Sequence, residues 1–125
     1  MQRVFKTRHF QRWMRKTELT DQLLCQAVQQ MSEGLIDADL GGDLIKKRIA
    51  VGGRGKSRGI RTLVATKKAS KWFFVFGFAK NETANISEIE IDSLRSLGAR
   101  LLNLSTEQLK RFCEDGSIME ICHAH

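Results

Sequence analysis

The chain has 125 residues, of which 42% are hydrophobic and 28% charged, and its net charge is +7. This length fits one domain spanning residues 1–125, and the composition excludes a chain too polar to build a core. No apolar run is long enough to span a bilayer and MQRVFKTRHF lacks the apolar stretch of a secretory signal, so a cytoplasmic protein without membrane contact is expected.

Residues 3–6 read as a short strand carrying Val4 and Phe5. Thr7 is placed to cap a helix in which Phe10, Trp13 and Met14 share one face. Thr20 and Asp21 open a second helix, where Leu23, Leu24, Ala27, Val28 and Met31 keep helical spacing until Gly34 stops it. These two form a helical hairpin. Asp37, Asp39, Gly41 and Gly42 make a turn-rich link. Strands are predicted over 45–51, 60–66 and 71–79, the first two joined by the glycine-rich basic loop GGRGKSRG. In the third, strict alternation puts Trp72, Phe74, Phe76 and Phe78 on one face and Phe73, Val75 and Gly77 on the other. Apolar on both faces, it reads as a central strand, and its aromatic residues as core. A helix over 86–103 carries Leu94, Leu97, Leu101 and Leu102. Ser105 with Gln108 opens a last helix as a capping box, and 117–121 reads as an edge strand. The order β-α-α-β-β-β-α-α-β predicts an α+β domain with a small, mostly antiparallel sheet. Its helices are expected on one face, leaving the other free to display Lys and Arg. Cys25, Cys113 and Cys122 form no C-x-x-C pair and read as three reduced thiols.

The charge is distributed in blocks. Residues 44–81 hold eleven Lys and Arg and no Asp, Glu, His or Cys, while the segments 17–43 and 82–125 are net acidic. A basic sheet surface of this kind points to phosphate, and most simply to nucleic acid. The loop is no Walker A motif, because Ala50 stands where its first glycine would be and β-type residues follow it. Its glycines still allow close backbone approach to phosphate beside Arg54, Lys56 and Arg58. Without carboxylate or imidazole, this stretch supplies neither a metal site nor a carboxylate pair, and no metal or cofactor is expected. Lys and Arg must then carry any chemistry. A lysine crowded by other cations loses its proton more readily and approaches a general base. Arginine steadies a dianionic phosphorane through paired hydrogen bonds. That toolkit suits attack of an RNA 2′-hydroxyl on its own phosphodiester.

The basic array resembles the RelE/HigB toxins of type II toxin–antitoxin systems, within the RelE/ParE superfamily. The resemblance rests on Lys46-Lys47-Arg48, Gly53-Arg54-Gly55-Lys56-Ser57, Gly59-Ile60-Arg61-Thr62 and the run FVFGFAKNETANI from Phe74 through Ile86. The element order is also similar along nearly the whole chain. It implies a RelE-like fold and a metal-independent, ribosome-dependent endoribonuclease that cleaves mRNA and inhibits translation. It also implies a cognate antitoxin, often a helix-turn-helix protein through which alone operator DNA is reached. By that match Lys46, Arg48 and Arg61 correspond to catalytic cations and Lys80 lies near another, with Lys56 in the neighbouring loop; Lys46 is the expected general base, and Lys56 or Lys80 is expected near the leaving group. Lys47, Arg54, Arg58 and Asn81 would bind RNA beside them. The chain departs from the family in having no Tyr, and its C-terminal His123 and His125 lie in the tail. Asn81 stands about where related toxins can have Arg. Two other readings compete: a ParE-like toxin acting on DNA gyrase, and a non-catalytic basic module that only binds nucleic acid.

Overall fold

The computed structural model describes residues 2–52, 59–68, 70–79 and 86–123. It is an α+β structure in the order β1 (Arg3–Thr7), α1 (Arg8–Met14), α2 (Asp21–Ser32), β2 (Ala38–Asp39), β3 (Leu44–Ile49), β4 (Ile60–Lys67), β5 (Lys71–Ala79), α3 (Glu88–Leu102), α4 (Thr106–Glu114) and β6 (Ile118–Ile121). The sheet has six strands in the order β2-β3-β4-β5-β1-β6. All neighbours are antiparallel except β1 and β5, which run parallel. The two-residue β2 falls in the segment that reads as a turn-rich link.

The helices begin where short polar side chains can take up orphan backbone donors. Thr7 accepts from the Phe10 N–H at 3.1 Å and Thr20 from the Leu23 N–H at 3.2 Å. Ser105 and Gln108 close the expected capping box, and Ser87 with Glu90 forms a second one that opens α3.

The expectation of helices on a single face is corrected. Helices α1 and α2 cover one face, where Phe10, Met14, Leu24 and Val28 pack on Val4, Ile45, Val64, Trp72 and Phe74. Helices α3 and α4 cover the other, where Leu101 and Leu109 join Phe5, Leu44, Leu63, Ala65 and Phe73. The reason is the strands themselves. Each central strand carries apolar side chains at both parities, and both faces then need a cover.

A β-bulge corrects the aromatic stripe as well. Leu63 pairs with Phe76 but Val64 pairs with Phe74, so Val75 is an extra residue on β5. Trp72 and Phe74 therefore join the α1/α2 core, while Phe76 belongs with the α3/α4 side. One inserted residue inverts the facing of everything after it. Gly77 consequently points at α1, where a Cβ would lie 2.2 Å from the Trp13 ring. Gly77→Ala forces Trp13 off its seat and is expected to cost about 1–3 kcal/mol of stability. Urea unfolding checks this; an unchanged midpoint would show that Trp13 does not need the gap.

The cysteines differ from expectation too. Cys25 and Cys122 are joined as a disulfide, with their Cα atoms 5.5 Å apart, and Cys113 is the free thiol. Helix α2 and the end of β6 meet in the same core, through Leu24 and Ile121. A sequence separation of 97 residues hides that proximity. Unreduced, denatured protein should titrate one thiol per chain and reduced protein three. Reduction should lower stability by about 2–4 kcal/mol. Three thiols before reduction would refute the bond.

At the β1–β6 edge, Arg3 donates from Nε and Nη2 to the two carboxylate oxygens of Glu120, each at 2.9 Å. These bonds hold Glu120 below the usual carboxylate range although burial pushes it the other way, and they raise Arg3. A depressed carboxylate contributes stability above its unfolded value, about 4.3, and loses it as pH falls through the folded value. Both partners are partly exposed, so the contribution is at most about 1 kcal/mol. The stability gap between wild type and Glu120→Gln should therefore close as pH is lowered from neutrality to about 3. A gap that widens in acid contradicts the pairing.

Candidate functional site

The cations gather through strand register. Arg48 on β3 lies directly opposite Arg61 on β4, and Lys46 opposite Leu63. Alternation puts Lys46, Arg48, Arg61 and Leu63 on one face, the face that α3 and α4 cover further along. On the far side of β4, Arg61 pairs with Phe78 and Leu63 with Phe76. The face is closed at the end marked by Leu44, Ala65 and Phe73 and opens toward Arg48, which is exposed, with Lys46, Arg61, Phe76 and Phe78 half-buried.

Like charges directly opposite each other on paired strands destabilise a sheet. Arg48 and Arg61 sit in that arrangement, and among the described residues little relieves it. Arg61 donates from Nη1 to the Gly59 carbonyl at 3.3 Å. Among the described residues the ion pairs are Arg3–Glu120, Lys6–Asp21 and Arg95–Asp92, none of which draws on this row. Asp37 stands nearby, but its Oδ2 accepts from the backbone N–H of Arg48 at 2.6 Å. Its own N–H donates to the Lys46 carbonyl at 2.9 Å. The carboxylate thus helps hold the strand rather than neutralise a guanidinium.

Lys47, expected among the RNA-binding residues, is turned to the opposite face and is 8% exposed. Its ammonium donates to the Leu35 carbonyl at 3.0 Å, and its own carbonyl accepts from the Thr62 hydroxyl at 2.8 Å. It ties the link before β2 to the sheet and is not presented with Lys46, Arg48 and Arg61. The other expected site residues, Arg54, Lys56, Arg58, Lys80 and Asn81, lie outside the described residues.

The structure adds a feature that sequence reasoning passed over. Beside the cation row, on the same face, is an apolar groove of about 640 Å³ between β5, the start of α1 and the C-terminal helices. Val75, Phe76, Leu94, Leu97 and Phe112 line it, with His9 on one wall. His9 stands near the N-terminus of the chain. Its sequence neighbourhood carries no sign of the groove, because the contact depends on the fold bringing α1 over the bulged end of β5.

The chain matches the family model described as the RelE toxin of the RelE / RelB toxin-antitoxin system over residues 2–121. No curated protein matches it. The family match takes in every strand and helix of the sheet architecture, the cation row included, and it carries the implication of a cognate antitoxin. With nearly its whole length so matched, the chain belongs to the RelE toxin family and is a toxin of a toxin–antitoxin system.

Proposed function

We propose that this toxin is a metal-independent endoribonuclease that cleaves mRNA on the ribosome and thereby stops translation. The observation that carries the reading is the opposition of Arg48 and Arg61, with Lys46 two residues along the same strand face. A sheet gains nothing in stability from facing guanidinium groups, so their use lies with a polyanion. Two guanidinium groups on neighbouring strands match the non-bridging oxygens of one phosphodiester.

In the proposed reaction Lys46 serves as the base that takes the proton of an RNA 2′-hydroxyl. The 2′-oxygen attacks the adjacent phosphorus, and Arg48 and Arg61 stabilise the dianionic phosphorane. The bond to the 5′-oxygen then breaks, and Lys56 or Lys80 returns a proton to that leaving group. The products are a 2′,3′-cyclic phosphate and a 5′-hydroxyl. Arg54, Arg58 and Asn81 are proposed to contact the RNA backbone, and Lys47 is left out because it is buried on the other face. The partner is proposed to be a helix-turn-helix antitoxin whose acidic segment covers the cation row, with operator DNA reached only through it. No helix among the described residues is long and apolar enough to cross a membrane. The proposed setting is the cytoplasm, where reduction works against the Cys25–Cys122 bond. The facing arginines favour cleavage over a gyrase-directed toxin or a module that only binds.

The test is Arg61→Ala, assayed on ribosome-bound mRNA with analysis of the product ends. Removing one such electrostatic contact should slow cleavage by about 10²-fold or more. Stability should stay within about 0.5 kcal/mol of wild type, because the loss of a surface cation costs little and also relieves Arg48. Cleavage at the wild-type rate by a folded Arg61→Ala protein would remove Arg61 from the mechanism.

A further inference from the structure

The rings beside the cation row form an ordered series. His9, exposed in the first turn of α1, lies flat against Phe76, with ring centroids 5.9 Å apart and planes 9° from parallel. Phe76 in turn meets Phe78 at 6.3 Å, tilted by 44°. Phe78 is the cross-strand partner of Arg61, which is the cross-strand partner of Arg48. A run of rings therefore leads from the groove to the two guanidinium groups. Among the described residues the His9 side chain makes no hydrogen bond or ion pair. Being exposed, it also adds little to the core. Ile89, which also lines the groove, is 79% exposed.

We propose that His9, Phe76 and Phe78 form a platform for a nucleobase, so that a base of the RNA strand stacks against the His9–Phe76 pair at the mouth of the groove while its phosphate rests on Arg61 and Arg48. The proposal rests on the nuclease reading and names the part of the substrate that the cations do not hold. Single-stranded RNA is recognised by this combination: aromatic faces on which bases stack, and cations that track the backbone beside them. A flat imidazole on a phenylalanine at the surface presents a ring face of the size a base covers. From Phe76 on the wall of the groove, Phe78 leads along β5 to Arg61 across on β4. That continuity favours a nucleotide over an apolar peptide segment, which needs neither a flat ring nor neighbouring guanidinium groups. Because every base has a π-face, the platform positions the strand for cleavage more than it selects a sequence.

The experiment titrates the intact protein with a short single-stranded RNA, made non-cleavable by 2′-deoxy substitution. A second titration uses the same oligomer with one abasic position. The imidazole resonances of His9, assigned by comparison with His9→Ala, are followed by NMR. The intact oligomer should move the His9 ring protons upfield. His9→Ala should weaken binding about ten-fold, whereas His9→Phe should restore it. On the wild type, the abasic oligomer should lose about as much as the His9→Ala change does, and on His9→Ala it should lose little more. RNA that binds without moving His9, equal affinity for both oligomers, or no binding would overturn the platform. So would a cognate antitoxin that shifts His9 and Phe76 where RNA does not. Cleavage of ribosome-bound mRNA is measured separately. RNA that stacks on His9 in a protein that does not cleave would sink the nuclease reading alone. Cleavage with His9 unmoved would sink the platform alone.

Discussion

The fold depends on one strand. β5 is hydrogen-bonded along both edges, to β4 and in parallel to β1, and its side chains are packed on both faces. A strand so enclosed has no place for a polar side chain, which is why it reads WFFVFGF. It also fixes what its neighbours do. The parallel pairing with β1 requires a long connection between them, and the helical hairpin and β2 to β4 supply it. Both helical layers then close on β5 from opposite sides. Gly77 lets Trp13 approach on one side, and Gly98 lets α3 approach Ala65 of β4 on the other.

Charge can enter such a sheet only where the cover ends. The row Lys46, Arg48 and Arg61 lies past the end of the α3/α4 core, on β3 and β4 rather than on β5. There the apolar alternation is broken by cations, while the opposite face keeps Ile45, Ile49 and Ile60 in the core with the buried Lys47 and Thr62 bonded among them. One strand segment therefore serves the core with one parity and solvent with the other. The price is the facing pair Arg48–Arg61, an arrangement that opposes stability and is tolerated because the rest of the double-sided core carries it.

Much of this was legible in the sequence, and the misses have physical causes. Thr7, Thr20 and Ser105 were readable as caps because capping is local chemistry between residues three apart. Strand alternation alone sets Lys46 and Arg48 against Lys47, although the family resemblance groups Lys47 with the RNA-binding residues. The bulge was not readable, since Val75 looks like any other strand residue until it is paired with β4. Uninterrupted alternation therefore puts everything beyond it on the wrong face, Phe76, Phe78 and Gly77 included. The Cys25–Cys122 bond and the His9–Phe76 stack were hidden for a related reason: both join residues far apart in the chain that only the layer order brings together. The division of helices between two faces was implicit in the apolar content of both parities, and it was missed because the basic residues seemed to need a whole free face. They need only the open end of one.

The acidic link before β3 ties down the backbone of that open end. β3 would be an edge strand but for β2, and the link that carries β2 is tied down at several points. Asp37 bonds the Arg48 and Lys46 backbones, and Lys47 reaches across to Leu35. Arg95 on α3 donates from Nε to the Leu40 carbonyl at 2.9 Å, with a second bond from Nη2, while also pairing with Asp92. For the proposed nuclease this matters, because electrostatic catalysis is weak when the charge must reorganise. Here the backbone beneath Arg48 and Lys46 is held from both sides, by β4 and by the acidic link. The negative charge of residues 17–43 therefore reaches the strand through Asp37 and its backbone bond, leaving the guanidinium of Arg48 exposed to a ligand. Segregated charge blocks, which in the sequence look like a simple contrast between acidic and basic regions, become a hydrogen-bonded mount and the cations it presents.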